Sequence, residues 1–275
     1  MIGALLSIVL VTAAPSAGVD SLEQAKPIPA WTSASATYGV RRDPLNNDLL
    51  LTRDADGVPR LFHADNVQEN PRQFVMRQNG NGRGLAYVTM ADNGDGFGVT
   101  YTMGTRQPHA TIVRVYRSAD TITVGEPIQS IVGEHYTSCP AISRDGQMMV
   151  FVTDRPGGMG RTDLWFVERQ LDGSFGAPQH CGNAVNSPYS ESTPTLLASD
   201  TLLFSSNGFG GQGGMDVFVS VFRDGIWQEP LPVEQLNSAF DDTDALRLQN
   251  GTFLLCRTSA QNSEHSQMWL VEPTP

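Results

Sequence analysis

The chain repeats itself at a step of about fifty residues, and this repeat limits the folds open to it more than any other feature. The clearest copies lie in the second half. Each has an apolar run, a glycine-rich loop, a second apolar run that begins at an aspartate, and an Asp-Gly turn. These two runs are 148–154 and 163–167 in one copy, and 202–207 and 216–220 in the next.

Weaker copies extend the pattern on both sides. Aligned on the run before the glycine-rich loop, five copies have equivalent residues at Leu51, Tyr101, Phe151, Phe204 and Leu255. The steps between these residues are 50, 50, 53 and 51. Because the step is nearly constant, every copy has the length of one structural unit.

Each unit contains three or four short runs rich in aromatic and β-branched residues, separated by turns, which predicts antiparallel hairpins. Four strands in a unit of this length are typical of a propeller blade, and one blade alone buries too little apolar surface to fold. We therefore expect an all-β fold, a β-propeller of five four-stranded antiparallel blades forming one domain over residues 18–275. A sixth blade in residues 66–93 remains the alternative. The last copy stops after its third strand, and we expect residues 28–33 to supply the fourth and close the ring.

The segment Phe-Val-Thr-Asp-Arg-Pro-Gly-Gly-Met-Gly-Arg-Thr-Asp-Leu-Trp, at 151–165, resembles the PD40 (WD40-like) β-propeller repeat of TolB-type and OmpA-associated periplasmic proteins. Residues 204–218 resemble it as well, and the resemblance covers about half the chain, from Cys139 to Glu272. It implies an exported binding or scaffold protein. Many such proteins carry a peptidoglycan-binding OmpA-like domain after the propeller; the sequence ends at Pro275 without one, so we do not expect cell-wall anchoring.

Three sets of repeated residues have structural interpretations. Asp163 and Asp216 precede the third strand and are expected to accept bonds from backbone N–H groups of the preceding loop, with a calcium ligand as the alternative. Aromatic side chains in one register of the third strand are expected to pack between blades: Trp165, Phe218 and Trp269. Loop glycines are expected to permit positive φ: Gly157, Gly158, Gly210, Gly211, Gly213 and Gly214.

Strand direction alternates within a blade, so the short Asp-Gly turns lie on one face of the ring and the long loops on the other. Binding residues concentrate on loops that a rigid scaffold holds. We therefore predict a partner-binding loop face formed by Asp154, Arg155, Arg161, Tyr189, Glu191, Asn207, Phe209, Phe240, Asp241, Asp242 and Asp244.

Two functions remain open. The first expectation is a non-catalytic propeller that binds a protein or a cell-envelope component. The alternative is a five-bladed glycan-binding or glycoside-hydrolase-like propeller, which would place inward carboxylates about 5–10 Å apart in one channel mouth. The sequence lacks G-x-S-x-G and H-E-x-x-H motifs, and Arg42-Asp-Pro44 is interpreted as a surface turn. We predict no catalytic set, no cofactor and no metal site.

Net charge and the N-terminal sequence indicate which partners and which location the protein has. Lys and Arg total 18 and Asp and Glu total 29, so the net charge is −11, which disfavours nucleic acid and anionic membranes as partners. The apolar start predicts a signal peptide at residues 1–17 and a periplasmic or secreted protein without a membrane span, expected to be monomeric. Three widely spaced cysteines are interpreted as buried small hydrophobic residues: Cys139, Cys181 and Cys256.

Overall fold

Antiparallel strands form five small sheets in the computed structural model, which describes residues 25–32, 35–78, 83–102, 109–258 and 266–272. The first strand, β1 (Ala25–Pro27), belongs to the last blade. Blade 1 consists of β2 (Thr37–Arg42), β3 (Leu49–Ala55), β4 (Val58–Ala64) and β5 (Arg72–Gln73). Blade 2 consists of β6 (Val75–Gln78), β7 (Arg83–Met90), β8 (Gly96–Thr102), β9 (His109–Ser118) and β10 (Thr121–Pro127).

The clearer sequence repeats form the other three blades. Blade 3 consists of β11 (Thr137–Ile142), β12 (Met148–Thr153), β13 (Asp163–Glu168) and β14 (Gln179–His180). Blade 4 consists of β15 (Glu191–Ala198), β16 (Thr201–Ser206), β17 (Asp216–Arg223), β18 (Ile226–Trp227) and β19 (Leu231–Pro232). Blade 5 consists of β20 (Asp241–Arg247), β21 (Phe253–Thr258), β22 (Gln267–Val271) and β1.

The predicted five-bladed propeller is confirmed. All five residues used to align the repeat lie in the second strand of a blade: Leu51 in β3, Tyr101 in β8, Phe151 in β12, Phe204 in β16 and Leu255 in β21. Residues 66–93 contribute β5, β6 and β7 to blades 1 and 2 instead of a sixth blade. Strand β6 runs parallel to β10 and widens blade 2 at its outer edge.

The ring is closed by the N-terminal strand, but three residues earlier than predicted. Strand β1 pairs with β22 through Ala25↔Val271 and Pro27↔Trp269. The predicted segment instead begins a short 3-10 helix at Pro29–Trp31. Proline suits a helix start because it lacks an N–H, and the turn brings the Trp31 ring into the core, where its Nε1 donates to the Glu69 carbonyl at 3.0 Å.

Five apolar clusters hold the blades together, one at each interface between neighbours. Phe97, Ile112 and Phe151 belong to the cluster between blades 2 and 3, and the remaining clusters occupy the other four interfaces. Burying one large apolar side chain stabilises a fold by about 1.5–3 kcal/mol. Each blade therefore depends on both neighbours for its core.

The glycine-rich loops have the predicted hydrogen bonds to aspartate, but most of their glycines do not have the predicted positive φ. Asp163 accepts the N–H groups of Met159 and Gly160, and Asp216 accepts those of Gln212 and Gly213. Only the first glycine of the predicted set in each loop, Gly157 and Gly210, has positive φ. The positive-φ prediction is wrong for Gly158, Gly211, Gly213 and Gly214. Only glycine fits at these four positions, because a Cβ would collide with Asp163, Asp216, Phe240 and Asp241, respectively.

Other predictions have mixed outcomes. The three cysteines are buried and unpaired, as expected. The surface interpretation of Arg42-Asp-Pro44 is wrong, because Asp43 is fully buried and forms an ion pair with Arg117. Residues 1–17 lie outside the described residues. No helix within the described ranges is long and apolar enough to cross a membrane.

Trp31 provides a test of how the ring is closed. We expect Trp31→Ala to lower the free energy of unfolding by about 3–5 kcal/mol, because it leaves a cavity between blades 5 and 1. Urea unfolding followed by circular dichroism measures this change. The exposed Tyr189→Ala is the control and should change stability by less than about 0.5 kcal/mol. Equal stability of the two variants would contradict the proposed packing.

Candidate functional site

The innermost strands of the five blades surround the central axis, since the first strand of each blade contacts the first strand of the next. Each of them has a register shift at the same place. The residue at the shift has positive φ in every blade, and we call these residues the central ring: Gly39, Tyr87, Cys139, Thr193 and Asp244. Left-handed backbone is uncommon outside glycine, and where it persists the surrounding structure enforces it.

Contacts between successive blades enforce this conformation. The Thr193 N–H faces the Cys139 thiol, and the Asp244 N–H donates to Thr193 Oγ1 at 3.1 Å. The Gly39 N–H in turn faces the Asp244 carboxylate. Gly39 has no side chain that could accept the N–H of the next central-ring residue, Tyr87. Thr52 Oγ1 accepts that N–H instead, at 3.1 Å.

Four tyrosines gather where the channel opens toward the long loops. Tyr38 and Tyr87 have ring centroids 5.3 Å apart. Tyr101 and Tyr136 share a hydrogen-bond partner in Ser138. We call these four residues, together with Asp54, the channel mouth. Tyr136 is 37% exposed and the other three rings are half-buried, so the rings form a partly open aromatic wall.

Burial is the main cause of the raised pKa of all four tyrosines, and brings that of Tyr136 to about 12. Their hydroxyls therefore stay protonated at neutral pH. Each then offers one donor and two acceptor lone pairs beside an apolar ring face.

Two carboxylates influence the Tyr38 hydroxyl. Asp54 Oδ1 accepts its hydrogen bond at 2.8 Å, and both Asp54 and Asp244 contribute to the raised Tyr38 pKa after burial and Tyr101. Asp244 is only 2% exposed, and desolvation raises its own pKa although Arg41 opposes the shift. Its Oδ1 lies 3.7 Å from Arg41 Nη1 and has no hydrogen-bond partner among the described residues.

Arg41 connects opposite sides of the ring. Its Nη2 donates to the Pro194 carbonyl at 2.9 Å, which joins blade 1 to blade 4 past the axis. Arg41 is only 3% exposed. Arg41 and Asp244 thus put a guanidinium group and a carboxyl group of raised pKa beneath the channel mouth.

The structure separates the residues of the predicted loop face into two groups. Exposed positions on the loops are Asp154, Arg161, Tyr189, Asn207, Phe240 and Asp241, of which Asp154, Asn207 and Asp241 also accept backbone N–H groups. The others are buried or half-buried and take part in internal contacts: Arg155, Glu191, Phe209, Asp242 and Asp244. Partner binding by the exposed group stays a prediction.

Glu191 and Asp242 show why acidic loop residues need not face a ligand. Glu191 accepts both the N–H and the hydroxyl of Ser187, and Asp242 accepts those of Ser238. Both sites repeat the sequence Asn-Ser-x-x-x-acid. Arg257 additionally donates to Asp242 at 2.6 Å. These carboxylates hold the loops between blades in place.

Two further loop-face residues stabilise the third strand. Arg155 lies over Phe151 and Trp165 and donates to the Ile131 carbonyl at 3.0 Å. Phe209 packs edge-on against Phe218, with centroids 5.5 Å apart. The predicted packing register is confirmed, since Trp165, Phe218 and Trp269 pair with the alignment residues of their second strands.

Solved structures with the same fold are mostly glycoside hydrolases. An α-L-arabinofuranosidase from Lactobacillus brevis matches with a TM-score of 0.60 and 9% identity, over 92% of this chain and 94% of its own. An endo-1,4-β-xylanase from Bacteroides thetaiotaomicron matches with 0.57 and 13%, over 87% and 92%. A putative TolB from Agrobacterium tumefaciens matches with 0.52 and 12%, over 86% and 77%. No family model and no curated protein matches the sequence.

These comparisons change the functional expectation. At such low identities the similarity shows the fold alone, and the PD40 resemblance stays a prediction. Of the two functions left open by the sequence, the comparisons favour the glycan alternative, because glycoside hydrolases predominate among the similar structures. The expectation of a non-catalytic propeller that binds a protein or an envelope component is therefore wrong.

The buried Glu191 predicts a pH dependence of stability. Desolvation raises its pKa, and the Ser187 and Ser206 bonds oppose the shift. Ionising a group whose folded pKa is raised costs stability, so this contribution is complete below the unfolded pKa of about 4.3 and is lost as pH rises through the folded pKa. We expect the stability of Glu191→Gln relative to the wild type to increase between about pH 4 and 7.

Urea unfolding at several pH values measures this difference. Glu229→Gln, at an exposed position, is the matched control. A stability difference for Glu191→Gln that stays constant over the range, as expected for the control, would contradict the role of burial.

Proposed function

We propose that this protein is a carbohydrate-binding propeller of the glycoside-hydrolase type, with the glycan held at the channel mouth. The observation that carries the proposal is the convergence of Tyr38, Tyr87, Tyr101 and Tyr136 with the Asp54 carboxylate around the central axis.

The chemistry of this wall suits a sugar. A pyranose or furanose ring has apolar C–H faces and a rim of hydroxyl groups. Tyrosine rings provide rigid amphipathic contact area at low entropic cost, and Asp54 supplies an acceptor for hydroxyl groups. The acidic chain, with a net charge of −11, repels polyanions and so favours a neutral glycan.

Hydrolysis is a second candidate function, favoured by the different environments of Asp54 and Asp244. Glycosidases pair a carboxylic acid of raised pKa with an ionised carboxylate. Asp244 has a raised pKa and an oxygen without a hydrogen bond, which suits the acid. Asp54 accepts the Tyr38 hydroxyl at 2.8 Å, which fixes the position of its carboxylate beside the tyrosine rings and suits the base or nucleophile.

Binding is tested first. Titration calorimetry with neutral xylan and arabinan oligosaccharides should show saturable binding to the wild-type chain. Tyr136→Ala should weaken it by about tenfold or more, which corresponds to about 1.4 kcal/mol. Tyr116→Ala is the matched control, because Tyr116 is 57% exposed on β9 outside the channel mouth. Equal losses in both variants, or no binding to the wild type, would rule out this site.

Hydrolysis is tested on the same oligosaccharides by release of reducing ends. Asp54→Asn and Asp244→Asn should each reduce the rate by about 10²-fold or more, the size of a general acid or base contribution. Asp241→Asn is the control, at an exposed position of the same strand as Asp244. A wild-type chain that binds but does not hydrolyse would leave binding as the function and exclude this assignment.

A further inference from the structure

A second polar site lies on the face opposite the channel mouth, among the short turns between blades 1 and 2. It is a cavity of about 440 Å³ whose lining includes Asp48, His63, Asp65, Arg72, Arg117 and Asp120. The turns after first and third strands form this face, so the cavity and the channel mouth are separate.

His63 is the centre of this cavity. It is only 3% exposed, and its ring packs on Phe74 with centroids 4.4 Å apart. Its Nδ1 lies 3.3 Å from Asp48 Oδ2, and its Nε2 lies 3.6 Å from Asp120 Oδ1, beyond hydrogen-bond distance. A buried imidazole is thus held between two carboxylates, with one nitrogen lacking a close partner.

The positions of three side chains fit a metal ion. One ligand atom each from Asp48, His63 and Asp65 can be chosen so that all lie within 4.8 Å of one another. Nitrogen and oxygen ligands bind zinc at about 2.0–2.2 Å in tetrahedral geometry, so two ligand atoms of one ion lie about 3.3–3.6 Å apart. The side chains therefore need to close by about one ångström around the ion.

Existing bonds leave ligand oxygens available. The contacts of Asp48 with Asn46, His63 and Arg117 fall on Oδ2, which leaves Oδ1 for an ion. Arg72 donates to Asp65 Oδ1 at 2.6 Å, and a carboxylate has about four lone-pair sites in all.

The charge balance also favours a cation. The arginines here are Arg72, which pairs with Asp65 and Glu69, and Arg117, which pairs with Asp43 and Asp48. With Asp120 there are five carboxylates against two guanidinium groups, a surplus of three negative charges. The surplus gives the cavity a negative potential, which attracts a cation.

We propose that Asp48, His63 and Asp65 bind a divalent transition-metal ion, with Asp120 closing from 3.6 Å on Nε2 of His63 to orient its imidazole. A metal-ligating histidine commonly donates its other ring N–H to a carboxylate, which fixes the tautomer and raises its basicity. An imidazole ligand favours zinc, copper, iron or nickel over calcium. Because Asp120 belongs to blade 2 and the ligands to blade 1, the ion fastens two blades together.

The test uses the full chain without an affinity tag, stripped with a chelator and titrated with Zn²⁺ by calorimetry. We expect one equivalent to bind. Asp65→Asn should weaken binding by about 100-fold, and Asp120→Asn by about 10–100-fold, as found for second carboxylates around metal-bound histidine. The Asp65 side chain is 52% exposed, so its replacement tests the site without destabilising the fold.

Glu69→Gln is the matched control. It removes a carboxylate that pairs with the same Arg72 but is not a ligand, and binding should stay within about threefold of the wild type. Co²⁺ in place of Zn²⁺ should give visible absorption bands that saturate at one equivalent and disappear in His63→Gln. The proposal is overturned by absence of saturable Zn²⁺ binding, by equal affinities of Asp65→Asn and Glu69→Gln, or by Ca²⁺ binding as tightly as Zn²⁺.

Discussion

The central ring of left-handed residues is the constraint on which the rest of this structure depends. Where the five innermost strands meet, each has a register shift at its central-ring residue, which has positive φ. The bulge changes the direction of the side chains beyond it. It lets the Tyr87 ring approach Gly39 so closely that a Cβ on Gly39 would lie 2.9 Å from the ring, and it places Asp244 beside Arg41 at the axis. The same bulges therefore determine both how the ring closes and which side chains form the channel mouth.

The repeat allowed most of the fold to be predicted from sequence, because blade length and turn chemistry are local properties. The ring-closing strand was misplaced by three residues because tertiary burial of Trp31 prevailed over strand propensity. The glycines were assigned to positive φ although most are needed for close packing against carboxylates and carbonyls, which depends on neighbouring loops.

The candidate site was harder to predict. Its tyrosines come from three blades and from the weaker repeats, and the central ring has a different residue type in every blade, so no common motif marks either. One signal was available for the acidic loop residues. The repeated Asn-Ser-x-x-x-acid pattern before blades 4 and 5 indicates a structural role for Glu191 and Asp242, because a pattern shared by two blades is more simply a scaffold feature than a binding site.

The central claim is that a neutral glycan lies against the tyrosines of the channel mouth. Tyrosine ring resonances, assigned by single Tyr→Phe replacements, report this contact directly when xylan and arabinan oligosaccharides are titrated into the labelled protein. The account predicts saturable shifts of Tyr38, Tyr101 and Tyr136 with one dissociation constant, and unchanged resonances of Tyr116 and Tyr189. Shifts confined to Tyr189 would place the ligand on the outer loops, and that result would contradict the account.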